Sequence, residues 1–324
     1  MINRAAIRDA ADRISSNIRL TPVLQLEPGA LGINSTLCLK LENHQISGSF
    51  KIRGAANAAL SARKRNNGGL VAASGGNHGI AVATIANRLG VPAQIFVPTI
   101  ASPAKVSRLQ ALGAKVTVEG DTYVEARAAA FEFSKTDNLQ MIEAFETPET
   151  ILGQGTIGLE CEAQVPELDA IALSVGGGGL AAGLASWFEG RIPIFCAEPE
   201  LAPSLNFALS AGKPIDVETG GIAADALGCR RVGEVGFEIL KQSYIVSGLV
   251  SEDDIRQAQR DLWNELRLVV EPAAAVPIAY LRSLPDERIE GQKIGVLICG
   301  ANVDLGQIQA ASGSPASDRD VDKK

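Results

Sequence analysis

The chain has 324 residues, 46% of them hydrophobic and 21% charged, the balance of a protein with a sizeable core and enough length for two domains. Its 30 Lys and Arg against 37 Asp and Glu leave a net charge of −7 without a block of like charge, which excludes a nucleic-acid partner held by electrostatics. Neither a run of about 18 apolar residues nor an apolar stretch ahead of a cleavage site occurs, so no membrane partner is expected.

The predicted elements alternate. Ile2, Ala6, Ala10, Ile14 and Ile18 recur at helical spacing, and Pro22 then imposes an extended segment over Pro22-Val23-Leu24. Leu37, Leu39 and Leu41 alternate as in a strand with one face buried, which leads into the polar loop Ser47-Gly48-Ser49-Phe50-Lys51 and a helix. Leu70–Ala73 is a short apolar run ending in the loop Ser74-Gly75-Gly76-Asn77-His78-Gly79, followed by a helix over Ile80–Leu89. Ala93–Val97 reads as a buried strand, Ser102-Pro103 as an N-cap with proline in the first turn, and Lys115–Val118 as a further strand. An alanine-rich helix over Tyr123–Lys135 completes a self-contained unit. Beyond it, Asp169–Val175 is a continuous apolar strand, Gly176-Gly177-Gly178-Gly179 a turn and Leu180–Phe188 a helix. Pro193–Ala197 and Lys293–Ile298 are buried strands, and Ser251 opens a capped helix reaching Leu266. Continuous apolar strands alternating with helices predict an α/β fold of two open, mostly parallel twisted sheets flanked by helices. The tail from Ala311 to Lys324 has the composition of a disordered segment.

Cys38, Cys161, Cys196, Cys229 and Cys299 are widely spaced with no Cys-x-x-Cys pair, the usage of reduced thiols in the cytoplasm. His44 and His78 do not stand at metal-site spacing.

Ligands of open α/β sheets collect beyond the carboxyl ends of the strands, where the polar loops at 74–79, 176–179 and 299–302 fall. Four successive glycines before a helix let backbone N–H groups close on a phosphate, with the helix dipole favouring its charge. Which phosphate is left open by these residues alone. Gly177, Gly179 and Gly183, with Glu198 near the end of the next strand, also suit a dinucleotide site and an NAD-dependent oxidoreductase. A non-catalytic binding protein would have no use for Lys51.

The order of these motifs, Ser-Gly-Ser-Phe-Lys51, Ser74-Gly-Gly-Asn77-His78-Gly, the tetraglycine and Cys299-Gly-Ala-Asn302, resembles the fold-type II pyridoxal-phosphate enzymes. Within them the chain is similar to the threonine/serine dehydratase and serine racemase family over about residues 5–308, in its dehydratase branch. The resemblance implies a tryptophan-synthase-β-like fold with a large cofactor domain, 1–50 and 143–310, and a small substrate-side domain, 51–142. It implies pyridoxal 5′-phosphate as cofactor, Lys51 as the Schiff-base lysine, and Phe50 packed beside the ring. Asn77 is then the partner of the ring's 3′-oxygen, Gly176, Gly177, Gly178 and Gly179 hold the phosphate, and Cys299 faces the pyridine nitrogen as a neutral group. Ser74, Gly75, Gly76, Asn77 and His78 are the implied substrate-carboxylate loop, His78 being equally readable as a structural loop histidine.

Two departures shape the expected reaction. Gly75 stands where the family's serine racemases carry a second serine, the base on the opposite substrate face, so dehydration of a β-hydroxy-L-amino acid is expected before racemisation. Glu198 matches the first acid of the family's divalent-cation site, but Ser204 replaces the second, which leaves Glu198 a weak metal candidate. The segment Ile222–Gly228 departs from the racemase pattern beside the implied substrate, so serine, threonine, 3-phenylserine and 3-hydroxyaspartate all stay open. The chain ends soon after Asp304, so no added C-terminal regulatory domain is expected, and the family habit implies a homo-oligomer, a dimer first.

Overall fold

The apolar runs become two sheets in the computed structural model, which describes residues 1–62, 68–136 and 139–303; the expected tail from Ala311 lies outside them. Helix α1 (Arg4–Ile14) leads to strands β1 (Val23–Leu26) and β2 (Thr36–Lys40), and α2 (Lys51–Ala62) follows. The chain then alternates through β3 (Leu70–Ala73), α3 (Asn77–Leu89), β4 (Ala93–Val97), α4 (Pro103–Ala111), β5 (Lys115–Val118), α5 (Tyr123–Thr136) and β6 (Gln140–Met141). It resumes with α6 (Pro148–Gln164), β7 (Ala170–Ser174), α7 (Gly179–Phe188), β8 (Ile194–Pro199) and α8 (Ser204–Ala211). Short helices α9 (Ala224–Leu227) and α10 (Glu234–Leu240) precede β9 (Ile245–Val250), α11 (Glu252–Leu266), α12 (Pro272–Ser283) and β10 (Lys293–Leu297).

One sheet has the order β1-β2-β10-β7-β8-β9 and the other β5-β4-β3-β6. Among the strand pairs of the described residues only β1–β2 is antiparallel. Every residue of β7 and β8 is buried, as expected where helices cover both faces of a parallel sheet. α7 is apolar all round and wholly buried, the signature of a helix with no solvent face.

The two sheets organise separate hydrophobic clusters, and α1 serves both: Ile7 packs into the cluster of the larger sheet and Ile14 into that of the smaller. Each isoleucine is fully buried, worth about 1.5–3 kcal/mol, so α1 ties the two halves together by its ends.

Two differences from the sequence reading have physical causes. The helix expected from Ile80 begins at Asn77, so Asn77 and His78 occupy its first turn rather than a loop. Gly79 makes this close turn possible, since a Cβ there would lie 1.9 Å from the Ser74 carbonyl oxygen. Strand β9 carries no clear strand pattern because Ser247-Gly248 interrupts it; the glycine is required by packing, as a Cβ would fall 2.1 Å from the Tyr280 ring. α12 is similarly masked by Pro277 within it.

Candidate active site

The parallel register brings the carboxyl ends of β7 and β10 to one side of the larger sheet, and the loop after β3 of the smaller sheet meets theirs through Asn77, which lines the same cleft as Gly176–Gly179 and Cys299. The Lys51 loop is stitched to the end of β10: Phe50 N–H donates to the Cys299 carbonyl (3.0 Å) and Ala301 N–H to the Gly48 carbonyl (2.9 Å). A cleft results. It is lined by Phe50, Lys51, Asn77, the four glycines and Cys299, and also by Phe145, Cys229 and Glu271, which the sequence reading did not single out.

Lys51 opens α2 and directs its ammonium into the cleft, where Nζ donates to the Ala144 carbonyl at 3.0 Å and lies 5.2 Å from the centre of the Phe50 ring. Loss of hydration lowers its pKa, against the opposing pull of Cys229, Cys299 and Glu271. The amine is thereby shifted toward its nucleophilic, proton-accepting form. What holds the helix in place is Arg53, two residues on. Its guanidinium is fully buried and makes paired bonds of 2.7–2.8 Å to Glu42 and Glu160, and Lys40 joins Glu160 at 2.5 Å. A planar fork matched to two carboxylates fixes direction as well as charge.

Gly176–Gly179 form a bare cradle. A Cβ on Gly177 would fall 2.4 Å from the Phe145 ring and one on Gly179 2.7 Å from the Phe145 carbonyl oxygen, while Gly178 adopts φ 83°. Gly178 caps α7 without a side-chain bond, which leaves first-turn N–H groups for an anion. The donor set fits a phosphate-bearing aldehyde cofactor: a desolvated amine, a side-chain-free anion cradle and a polar edge at Asn77 and Cys299 share one cleft.

Asn77 Nδ2 donates to both carboxylate oxygens of Glu271 (2.8 and 2.9 Å), and its Oδ1 accepts from Asn302, which also donates to the Ser47 carbonyl. Cys299 Sγ lies 3.7 Å from both Ser174 Oγ and Glu271 Oε1, and burial with the Glu271 charge holds the thiol protonated. Ser74, Gly75 and Gly76 form the turn into α3, whose first turn has no side-chain cap. The His78 ring leaves the cleft and bonds the Ile142 carbonyl at 2.8 Å; burial lowers its pKa to about 4, so it is neutral. Ala226 and Leu227, from the divergent segment 222–228, reach the cleft wall.

Glu198 is held elsewhere. Fully buried, it accepts N–H bonds from Leu205 and Asn206 (both 2.7 Å) at the start of α8, and Ser204 Oγ lies 3.4 Å away. Both oxygens are engaged by backbone N–H groups, and among the described residues no group of three or more His, Cys, Asp or Glu is placed to hold an ion. Burial pushes the Glu198 carboxyl from 4.5 up to about 7. Its folded form therefore binds the proton more tightly than the unfolded chain, and that stabilisation is complete below pH 4.5 and lost as pH rises toward 7. The melting-temperature advantage of the parent over Glu198→Gln is accordingly expected to shrink between pH 5 and 7.5. A constant difference over that range would show that Glu198 does not titrate there.

Glu271 is the main residue the motifs did not reveal. Its only sequence signal is a lone acid inside the apolar run Val269-Val270-Glu271-Pro272-Ala273, which reads as a helix start. Phe145 and Cys229 lie in stretches without any chemical motif.

A model of the family described as pyridoxal-phosphate dependent enzyme matches residues 14–300. The L-threonine ammonia-lyase of Thermotoga maritima is 33% identical over 313 residues, covering 95% of this chain and 77% of that protein. The biosynthetic L-threonine dehydratase of Haemophilus influenzae is 34% identical over 313 residues, and the chain spans only 61% of its length. Among solved structures, maize serine racemase superposes with a TM-score of 0.87 at 30% identity, over 95% of this chain and 96% of that one.

Proposed function

The chain belongs to the pyridoxal-phosphate dependent enzyme family, and on that premise we propose that it dehydrates β-hydroxy-L-amino acids of the serine and threonine class to 2-oxo acids and ammonia. One observation carries the choice of reaction. Lys51 faces the cleft as a desolvated amine, whereas Gly75 across the substrate turn has no side chain to carry a proton; the nearest atoms to a Cβ there would belong to the Lys105 stem (3.5 Å) and Val97 (3.6 Å).

When bound, the cofactor supplies an electron sink for bond breaking at the substrate Cα. Lys51 is the residue to take its aldehyde, the Gly176–Gly179 cradle and the α7 N-terminus its phosphate, and Asn77 and Cys299 its ring edge. The protein groups then divide the remaining work. Backbone N–H groups at the uncapped start of α3 bind and orient the substrate carboxylate. The Lys51 amine removes the α-proton while the β-hydroxyl departs, so the elements of water leave Cα and Cβ; hydrolysis of the resulting enamine yields the 2-oxo acid and ammonia.

The wall formed by Ala226, Leu227 and Cys229 is uncharged, and Lys105 nearby is already paired with Asp225. This supports serine, threonine and 3-phenylserine over 3-hydroxyaspartate as substrates. The test incubates single enantiomers of all four with the holoenzyme and follows 2-oxo acid and chirality. Oxo acid from the L-forms, with the acidic substrate slowest, is expected. D-amino acid accumulating with little oxo acid would favour racemisation instead.

A further inference from the structure

We propose that Glu271 positions the cofactor ring: one buried carboxylate orients both Asn77 and Cys299 toward the ring edge and supplies the negative charge at that end of the cleft. The inference rests on the cofactor occupying this cleft, and not on which substrate is used.

The geometry is specific. Glu271 sits at the N-cap of α12, is 5% exposed, and its N–H donates to the Gly300 carbonyl at 3.1 Å. Gly300 leaves room for the carboxylate, since a Cβ would lie 2.6 Å from Oε1. Both oxygens take their bonds from the Asn77 amide, and Asn302 donates to the other side of that amide, so the nitrogen end of Asn77 is fixed and cannot exchange places with its oxygen. The Nδ2 hydrogen not shared between the Glu271 oxygens remains a donor for the cleft. At Cys299 the polarity is opposite. The thiol donates to Glu271 Oε1 and Ser174 Oγ donates to the sulfur, which leaves sulfur lone pairs as the group presented to the ring.

No Lys or Arg pairs with Glu271 among the described residues, although burying an unpaired carboxylate is costly. The nearby groups are Lys51 on α2, Cys299 after β10, and Asp225 on α9, which repels it. Burial pushes the Glu271 carboxyl upward, and Asn77 and Cys299 oppose this. A positive charge brought to the ring or to Lys51 favours ionised Glu271, and ionised Glu271 favours that positive charge. The two charges therefore form together, so ionised Glu271 helps to keep a proton at the Lys51 nitrogen.

The experiment compares parent, Glu271→Gln, Glu271→Asp and Cys299→Ala holoenzymes by the pH at which the visible band of the bound cofactor is half lost, and by the cofactor dissociation constant. In Glu271→Gln the half-loss pH is expected to fall by about one unit or more and the dissociation constant to rise roughly tenfold. Glu271→Asp restores most of the first effect, and Cys299→Ala, which keeps the carboxylate but breaks its link to the ring, reproduces part of it. A Glu271→Gln protein that is merely less stable, with the parent titration and affinity, overturns the proposal. If that variant does not fold, an unchanged band in Cys299→Ala overturns the link. A parent with no visible band would remove the cofactor premise itself, whereas a normal band without oxo-acid formation would remove only the dehydratase reading.

Discussion

Lys51→Ala is expected to abolish 2-oxo acid formation, by a factor of about 10⁴ or more, and to remove the visible band, while the melting temperature changes by only a few degrees. The size follows from the two tasks proposed for one nitrogen, anchoring the cofactor and carrying the α-proton; each is unavailable to a methyl group. The small effect on stability follows from the surroundings. Nζ makes one hydrogen bond, to the Ala144 carbonyl, worth about 1 kcal/mol, and removing the amine also removes the cost of keeping it out of water. α2 is held instead by the Arg53 bonds to Glu42 and Glu160, which the substitution leaves intact. Lys51→Arg is expected to be equally inactive, because a guanidinium keeps the charge but neither attacks a carbonyl nor accepts a proton near neutral pH. Parent-level activity in either variant would take Lys51 out of the mechanism.

The second large effect lies in the cradle and separates side-chain from backbone crowding. Gly177→Ala puts a methyl 2.4–2.5 Å from three atoms of the Phe145 ring, and Gly179→Ala puts one 2.7–2.9 Å from Phe145 carbonyl oxygen, Cβ and Cα. The first clash is relieved by swinging the Phe145 side chain about χ1, the second only by moving the chain beside Ala144, whose carbonyl holds Lys51. Cofactor affinity should fall roughly tenfold for Gly177→Ala and roughly a hundredfold for Gly179→Ala, the latter with about 1–3 kcal/mol of stability. Measured against Phe145→Ala alone, adding Gly177→Ala should cost almost nothing and adding Gly179→Ala should cost nearly its full amount. Equal relief of both, or of neither, would show that crowding against Phe145 does not set the cradle.

Much of this site can be read from local patterns because its chemistry depends on residues that are conspicuous in a chain. A lysine after Ser-Gly-Ser-Phe, four adjacent glycines, and short apolar strands ending in polar loops each carry a local physical meaning, and all converge on the cleft. His78 stands in the same motif as Asn77, yet points to the Ile142 carbonyl, because α3 begins early enough to rotate successive side chains by about 100° from one another. Glu198 shows the reverse. Its place after a strand suited a ribose or a metal, but the first N–H groups of α8 take both oxygens.

By itself the sequence determined the alternating α/β plan, and it marked Lys51, the tetraglycine and the absence of a second serine at Gly75 as the places to look, since each depends on residue type and near-neighbour spacing. The tertiary structure alone decided which side chains share the cleft. Glu271 reaches Asn77 across 194 positions and Cys299 across 28, and the Arg53 clamp joins Glu42 to Glu160, residues without any shared local pattern. Such contacts arise from the crossover order that places β10 between β2 and β7, a long-range pairing that no short window of residues encodes.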